Sequence, residues 1–474
     1  MTQKIEVVQI DTPSSDIDYH DPADNVKARE KIQVKATDGL HSQLRKIFGA
    51  IGFLAFFGCA WMQWDGHQAV LWDLSSRQFL IFGLTLWPQD LFLLSFTLMI
   101  SAFGLFAVTA FAGRLWCGYA CPQSTWSWLF IWIENKVEGD RNARRKLDKQ
   151  AVSGRKVWLK MIKHLAWAAV AFVTALTFVG YFTPIRELAV DLVTFDASWG
   201  ATSWVLILSV LTYLNAGWLR EQVCIYMCPY ARFQSVMIDK DTLVVTYDEE
   251  RGEPRTAKRK HVQSADKKVG DCVDCSLCVQ VCPTGIDIRE GLQYECLSCG
   301  KCIDACNGVM DKLGLPKGLI RYASENVLKH KQPSKVHGRL LGYLGVMTLL
   351  VGALFYGVMT LSNVDLEVDR GRGANLFREN FKGEIINSYN VRVMNKTLEA
   401  KQYQLKVEGV NIVGIEGETE ITVAPGDISQ LPLSVTVALG DLEQRVTPIE
   451  FVVWEKDNPG QSDAVESRFI APIR

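Results

Sequence analysis

Cysteine is missing from the last third of this chain: all thirteen lie between Cys59 and Cys306, and the stretch from Asn307 to Arg474 has none. A disulfide framework is thereby excluded from the C-terminal part. Thiols confined to one region point to a reducing environment and to metal or redox work. Net charge is also lacking, with 51 Lys+Arg against 52 Asp+Glu, so no global field favours nucleic acid. No Walker or dinucleotide glycine motif occurs, which argues against a bound nucleotide. The first 45 residues are polar and charged and do not read as a cleavable signal.

Long apolar runs are abundant. Five stretches, 46–64, 91–112, 159–181, 201–219 and 340–361, reach the roughly 20 residues needed to cross a bilayer. The run 79–87 is too short to span and is expected to lie in the interface or re-enter. Tryptophans 61, 64, 72 and 87 read as interface anchors. Lys and Arg crowd the segment before the first span (Lys27, Arg29, Lys31, Lys35, Arg45) and the 113–158 loop. The first and third loops carry one arginine each, Arg77 and Arg186. This alternation predicts a cytoplasmic N-terminal segment 1–45, a cytoplasmic 113–158 loop and a cytoplasmic 220–339 segment. The tail 362–474 then lies outside.

Between the fourth and fifth spans stand CVDCSLCVQVC and CLSCGKCIDAC, two copies of C-x2-C-x2-C-x3-C. In that spacing three thiolates wrap one [4Fe–4S] cube and the fourth reaches the other. The first cluster is expected on Cys272, Cys275, Cys278 and Cys306, and the second on Cys296, Cys299, Cys302 and Cys282. A zinc site would show two separated pairs instead. Pro283 follows Cys282 as the pattern expects, whereas Asn307 replaces the proline after Cys306. The ferredoxin-type part covers about residues 262–310. Such clusters carry single electrons.

Two further thiol pairs share the pattern C-x-Y-x-C-P, Cys117/Cys121 and Cys224/Cys228, each following an apolar run. Pro122 and Pro229 suit the first position of a new helix. A thiol ahead of a helix N-terminus, near Arg114, Arg220 and Arg232, is expected to have a lowered pKa. If the spans pack together, the four thiols form one site for copper or for thiol redox chemistry, with Met227 as an extra soft donor. The bland reading is cysteine as a small packing residue. Cys59 reads as core, and His164 as a hydrogen-bonded or snorkelling histidine. From residue 384 onward the apolar period is two, as in Tyr389, Val391, Val393 and Leu431, Leu433, Val435, Val437. Six or seven short strands of this kind suit an immunoglobulin-like sandwich. Asn395-Lys396-Thr397 matches a glycosylation sequon, a motif short enough to arise by chance. The expected fold is a multi-domain membrane protein: a helical transmembrane bundle, a cytoplasmic two-cluster ferredoxin-like segment and a C-terminal all-β sandwich.

WPQD at 87–90, GRLWCGYACPQSTW from Gly113, CIYMCPYARFQ from Cys224, both cluster motifs and CIDACNGVMDKLGLPKGLIRY from Cys302 together resemble the FixG/RdxA/CcoG family. Members are accessory proteins for assembly of cbb-type cytochrome c oxidase. The resemblance implies an inner-membrane, multi-pass protein with two [4Fe–4S] clusters and a periplasmic tail. It also implies an oxidoreductase role, cupric reduction of Cu(II) to Cu(I). Implied partners are the membrane, the oxidase or its copper-delivery factors, and an electron donor that the residues do not name; a homodimer is left open. Two alternatives stand beside it. One is a quinol-linked electron-transfer subunit of the NapH/NosR type, and the other a non-enzymatic copper chaperone or assembly scaffold.

Overall fold

The computed structural model describes residues 32–64, 66–256, 269–330, 338–371, 377–397, 399–442 and 444–472. The basic residues 27, 29 and 31 lie outside the described residues. Among the described residues, five helices are long and apolar enough to cross a membrane: Leu40–Trp61, Pro88–Ala112, Gly154–Val179, Trp199–Leu219 and Gly338–Met359. Each contains most of one expected apolar run, and each bound moves by at most six residues, because helix ends follow caps rather than hydropathy. The second span begins on a one-turn 3-10 helix, Pro88–Asp90, where Asp90 Oδ2 accepts the Trp87 N–H at 3.0 Å. The proline at the start gives up no hydrogen bond there. The first span is capped from far away in sequence: Asp304 accepts the amides of His41 (3.2 Å) and Ser42 (2.7 Å). A Cβ at Gly39 would collide with that carboxylate.

The chain forms two compact units, and several spans begin in one and end in the other. The first unit comprises residues 1–52, 105–172 and 208–343. It holds the thiol-rich segments around an antiparallel strand pair, Val244–Tyr247 with Ile320–Ala323. Met310, Leu319, Ile320 and Val245 are its most buried apolar residues beside the cluster cysteines. The 113–158 loop folds into helices Pro122–Val137 and Arg141–Lys149. Arg144, read in the sequence as one more loop charge, is fully buried and pairs with Glu134 at 3.0 Å. A guanidinium cannot stay unpaired in an apolar setting.

The second unit comprises residues 53–104, 173–207 and 344–474. Its sandwich has one sheet ordered Ile412–Glu416, Ile428–Ala438, Glu384–Asn395, Val364–Arg370, with Arg378–Glu379 on the side. The other is ordered Glu420–Val423, Lys401–Glu408, Val446–Glu455, Ser462–Ile470. Period-two alternation sends Val391, Val393, Val435, Phe451 and Val453 inward to complete burial. The sandwich starts at Val364, twenty residues earlier than its apolar alternation suggested. That first strand reads VDLEVDR, which itself alternates apolar and charged residues and buries Val364 and Leu366. The run 79–87 is extended rather than helical. It supplies strands Gln78–Ile81 and Leu84–Leu86 of a three-stranded sheet with Val70–Asp73. Phe82 and Gly83, both at positive φ, make the turn between them. Within this unit Lys396 is buried between Asp90 (3.1 Å) and Asp365 (3.4 Å).

Candidate functional site

The eight quartet cysteines surround two cavities. Cys272, Cys275, Cys278 and Cys306 line one, with Tyr247, Met310 and Ile320. Cys282, Cys296, Cys299 and Cys302 line the other, and Cys278 lines it too. Local structure explains this crossing. The short helix Leu277–Val281 ends at Cys282, and the helix Lys301–Leu313 carries Cys302 and Cys306 one turn apart. Each fourth cysteine therefore points away from its own quartet. Ser276 and Gly300, both left-handed, turn the chain into these two helices. Burial pushes the thiols up: Cys278 to about 11, Cys296 and Cys306 to about 12. A buried thiol keeps its proton until a metal displaces it. The donor set, two groups of four thiols, suits [4Fe–4S] cubes.

The two C-x-Y-x-C-P pairs come together. Each straddles a break between two helical segments. Cys117 lies in the helix Leu115–Tyr119, while Cys121 is the N-cap of Pro122–Val137. Cys224 lies in a π-helical turn, Val223–Met227, and Cys228 is the N-cap of Pro229–Met237. Cys117 and Cys224 pack in one small cluster with Leu297, Cys299 and Tyr230. Among the described residues no three His, Cys, Asp or Glu side chains stand close enough to hold a single metal ion. One ion on the four thiols therefore requires them to close in.

The expected lowering of these thiol pKa values is not what the geometry produces. Burial pushes Cys117 and Cys224 up to about 12, and Cys121 upward as well. Arg114 lowers the first two, and backbone N–H groups of Ser124 and Gln123 lower Cys121, yet loss of water outweighs both. Arg220 does not serve the thiols. It ends a π-helical turn with φ of 45° and binds Glu134 at 2.9 Å. His164 accepts or donates at Tyr213 Oη, 2.7 Å away, and meets the Trp167 edge, as a hydrogen-bonded histidine should. Met227 is exposed and Cys59 half-buried.

Several positioning residues had no signal in the sequence. Gln123 donates to the carbonyls of Asn215 (3.0 Å) and Arg220 (3.1 Å), tying the first pair's helix to the turn that leads into the second. Fully buried Gln234 accepts from Cys117 Sγ at 3.5 Å and donates to Thr109 Oγ1 at 3.4 Å. Arg114 donates to the Ala231 carbonyl at 2.6 Å and stacks over Tyr294 at 4.6 Å. The repeated tyrosine was visible, but its two copies differ: Tyr119 is buried and Tyr226 is exposed.

Over 94% of its length the chain is 36% identical to Nitrogen fixation protein FixG of Rhizobium meliloti, and the match takes in 93% of that protein. The chain belongs to the FixG family. Protein RdxA of Cereibacter sphaeroides is 40% identical, over 74% of this chain and 76% of its own. Protein RdxB of the same organism is 35% identical, over 90% and 93%. Family models match in three places: a 4Fe-4S dicluster domain at residues 219–325, a 4Fe-4S binding domain at 94–138, and the IG-like fold at the C-terminus of FixG at 354–472. This FixG-family chain is thus an iron–sulfur redox protein with apolar helices suited to a membrane and an immunoglobulin-like C-terminal domain.

Proposed function

We propose that this FixG-family protein transfers single electrons to Cu(II) at the C-x-Y-x-C-P thiols, releasing Cu(I) for assembly of a cbb-type cytochrome c oxidase. The observation that carries the reading is one packed cluster that holds Cys117, Leu297 and Cys299, a cysteine of the second quartet, with Cys224 against it. Cys272, Cys275, Cys278 and Cys306 hold one cluster, and Cys282, Cys296, Cys299 and Cys302 the other. Bound [4Fe–4S] clusters supply electrons one at a time, matching the single electron that Cu(II) needs. Cys117, Cys121, Cys224 and Cys228 bind the substrate ion as thiolates and lose their protons on doing so. Soft sulfur donors favour Cu(I) over Cu(II), so the binding site itself draws the reduction forward. Apolar burial around Cys117 excludes water, and Gln234 and Arg114 hold the two arms in register.

The orientation that fits is an inner-membrane protein with thiols and quartets on the cytoplasmic side, where they stay reduced. Basic residues of the 141–156 stretch support it. Alkaline phosphatase fused after residue 472 should be active and fused within 141–156 inactive; the reverse would overturn the topology.

A second reading has its own support. The 4Fe-4S binding model at 94–138 spans only two cysteines, Cys117 and Cys121. Joined by Cys224 and Cys228, they make a fourfold thiol set, so a further cluster could sit there. Replacing all four by serine separates the cases. Under the copper reading the variant keeps about eight iron per chain and loses Cu(II) reduction. An additional cluster predicts about twelve iron in the parent and eight in the variant. Copper reduction at the parent rate in the four-serine protein would remove these thiols from the reaction.

A further inference from the structure

The segment between Cys117 and Tyr119 lies against the Leu297–Cys299 turn of the second quartet. Three adjacent residues make the contact, each by different chemistry. Cys117 packs on Leu297 and Cys299. Tyr119 Oη lies 3.3 Å from Tyr322 Oη, and Tyr322 in turn donates to the Ser298 carbonyl. His41 Nδ1 closes the other side of Tyr119 at 2.8 Å. Gly118 sits between them. A Cβ placed there would stand 2.9 Å from Cys299 Cα, 2.9 Å from the Leu297 carbonyl oxygen and 2.9 Å from that of Ser298. All three are backbone atoms, which cannot swing aside as a flexible side chain would. Glycine is required because two stretches of main chain touch.

We propose that Gly118 sets the distance over which electrons pass from the second cluster to the thiol site, and that the first cluster lies upstream of it. The inference rests on the copper reading above and adds an order and a contact to it. Cys282, Cys296, Cys299 and Cys302 would hold the cluster that, when bound and reduced, would supply one electron. Cu(II) on the Cys117 side would take it up as Cu(I), and the cluster would be oxidised by that one electron. No proton need move in that step. The first quartet has its own exposed cysteine, Cys275, where a donor could approach. Any side chain at Gly118 lengthens the gap by forcing the two backbones, and Cys117 with them, apart without removing any thiol.

The test uses full-length, cluster-loaded protein reduced with dithionite. Zn(II) takes the place of copper as a thiophilic ion that accepts no electron. Its binding is counted by metal analysis against the four-serine variant. In the parent, bound Zn(II) should change the electron paramagnetic resonance signal of one reduced cluster only. That signal should be the one perturbed by Cys296→Ser, not by Cys275→Ser. Gly118→Ala should weaken the change and Gly118→Val abolish it, with Zn(II) still bound. Single-turnover oxidation by Cu(II) should slow severalfold in Gly118→Val, since single-electron transfer weakens as donor and acceptor move apart. Gly308→Ala, in the cluster module with open space around it, should match the parent. Zn(II) bound to the parent without a spectral change would overturn the proposal, even if both Gly118 variants lose their clusters. A Gly118→Val protein as fast as the parent, beside an inactive four-serine protein, would sink the proposal while sparing the copper reading. Full reduction by the four-serine protein would sink that reading itself.

Discussion

Glu134 and Arg220 meet at 2.9 Å with their side chains buried, and Glu134 also faces Lys163 at 3.9 Å and shares Arg144 at 3.0 Å. One carboxylate thus gathers cations from three separate segments. Glu138 joins from the next turn, with Lys163 at 3.0 Å. Because Glu134 rides on the helix begun by Cys121 and Arg220 precedes Cys224, the ion network joins the two thiol arms behind the site. Trp167 covers it, with Arg220 at 5.3 Å and Lys163 at 4.9 Å from the ring.

Removing the shared anion should therefore be costly. Glu134→Gln keeps the shape but leaves buried cations short of a partner, a loss of about 3–5 kcal/mol. The detergent-solubilised protein should melt at a clearly lower temperature. Lys46→Ala, at an ion pair with Asp38 that is largely exposed, should cost under about 1 kcal/mol. Equal melting temperatures for the two variants would mean the network is not a structural tie.

Thiol reactivity follows burial. With Cys117 and Cys224 pushed up to about 12, only about one in ten thousand of each is ionised at pH 8 in metal-free protein. Iodoacetamide at that pH should label exposed Cys275 well ahead of these two. Raising the pH toward 12 should speed labelling of the buried pair, because deprotonation supplies the nucleophile. Cys117 labelling as fast as Cys275 at pH 8, by mass spectrometry, would show that water reaches the site.

The sequon asparagine has a structural duty. Asn395 is fully buried, and its amide donates to the carbonyls of Glu399 (2.7 Å), Val423 (3.1 Å) and Ala424 (3.2 Å). Its oxygen accepts from Tyr403 Oη at 3.0 Å. Asn395→Ala should destabilise the sandwich by about 2–3 kcal/mol, since several buried groups lose their partner together. A calorimetric transition of the full chain that stays within about 0.5 kcal/mol of the parent would contradict that role.

Much of the architecture was legible in one dimension because the relevant periods are local. Twenty apolar residues announce a span, alternation announces a sandwich, and the 2-2-3 cysteine spacing announces a ferredoxin-type motif whatever surrounds it. The strand Val364–Arg370 shows the same alternation, with Val364 and Leu366 inward, but thirteen residues separate it from the runs read from 384 onward. The thiol pKa values escaped because a nearby arginine is visible in sequence while loss of water is not. Burial at Cys117 depends on chain segments more than a hundred residues away.

Sequence alone determined which groups are available: thirteen thiols, five apolar runs and two glutamine-bearing C-P segments. Tertiary structure decided which of them meet. That Cys117 rests on Cys299, that Gln123 holds the Arg220 carbonyl and that Gly118 admits no side chain are all long-range contacts. They arise from packing of distant segments, and packing depends on shape complementarity that no local period encodes.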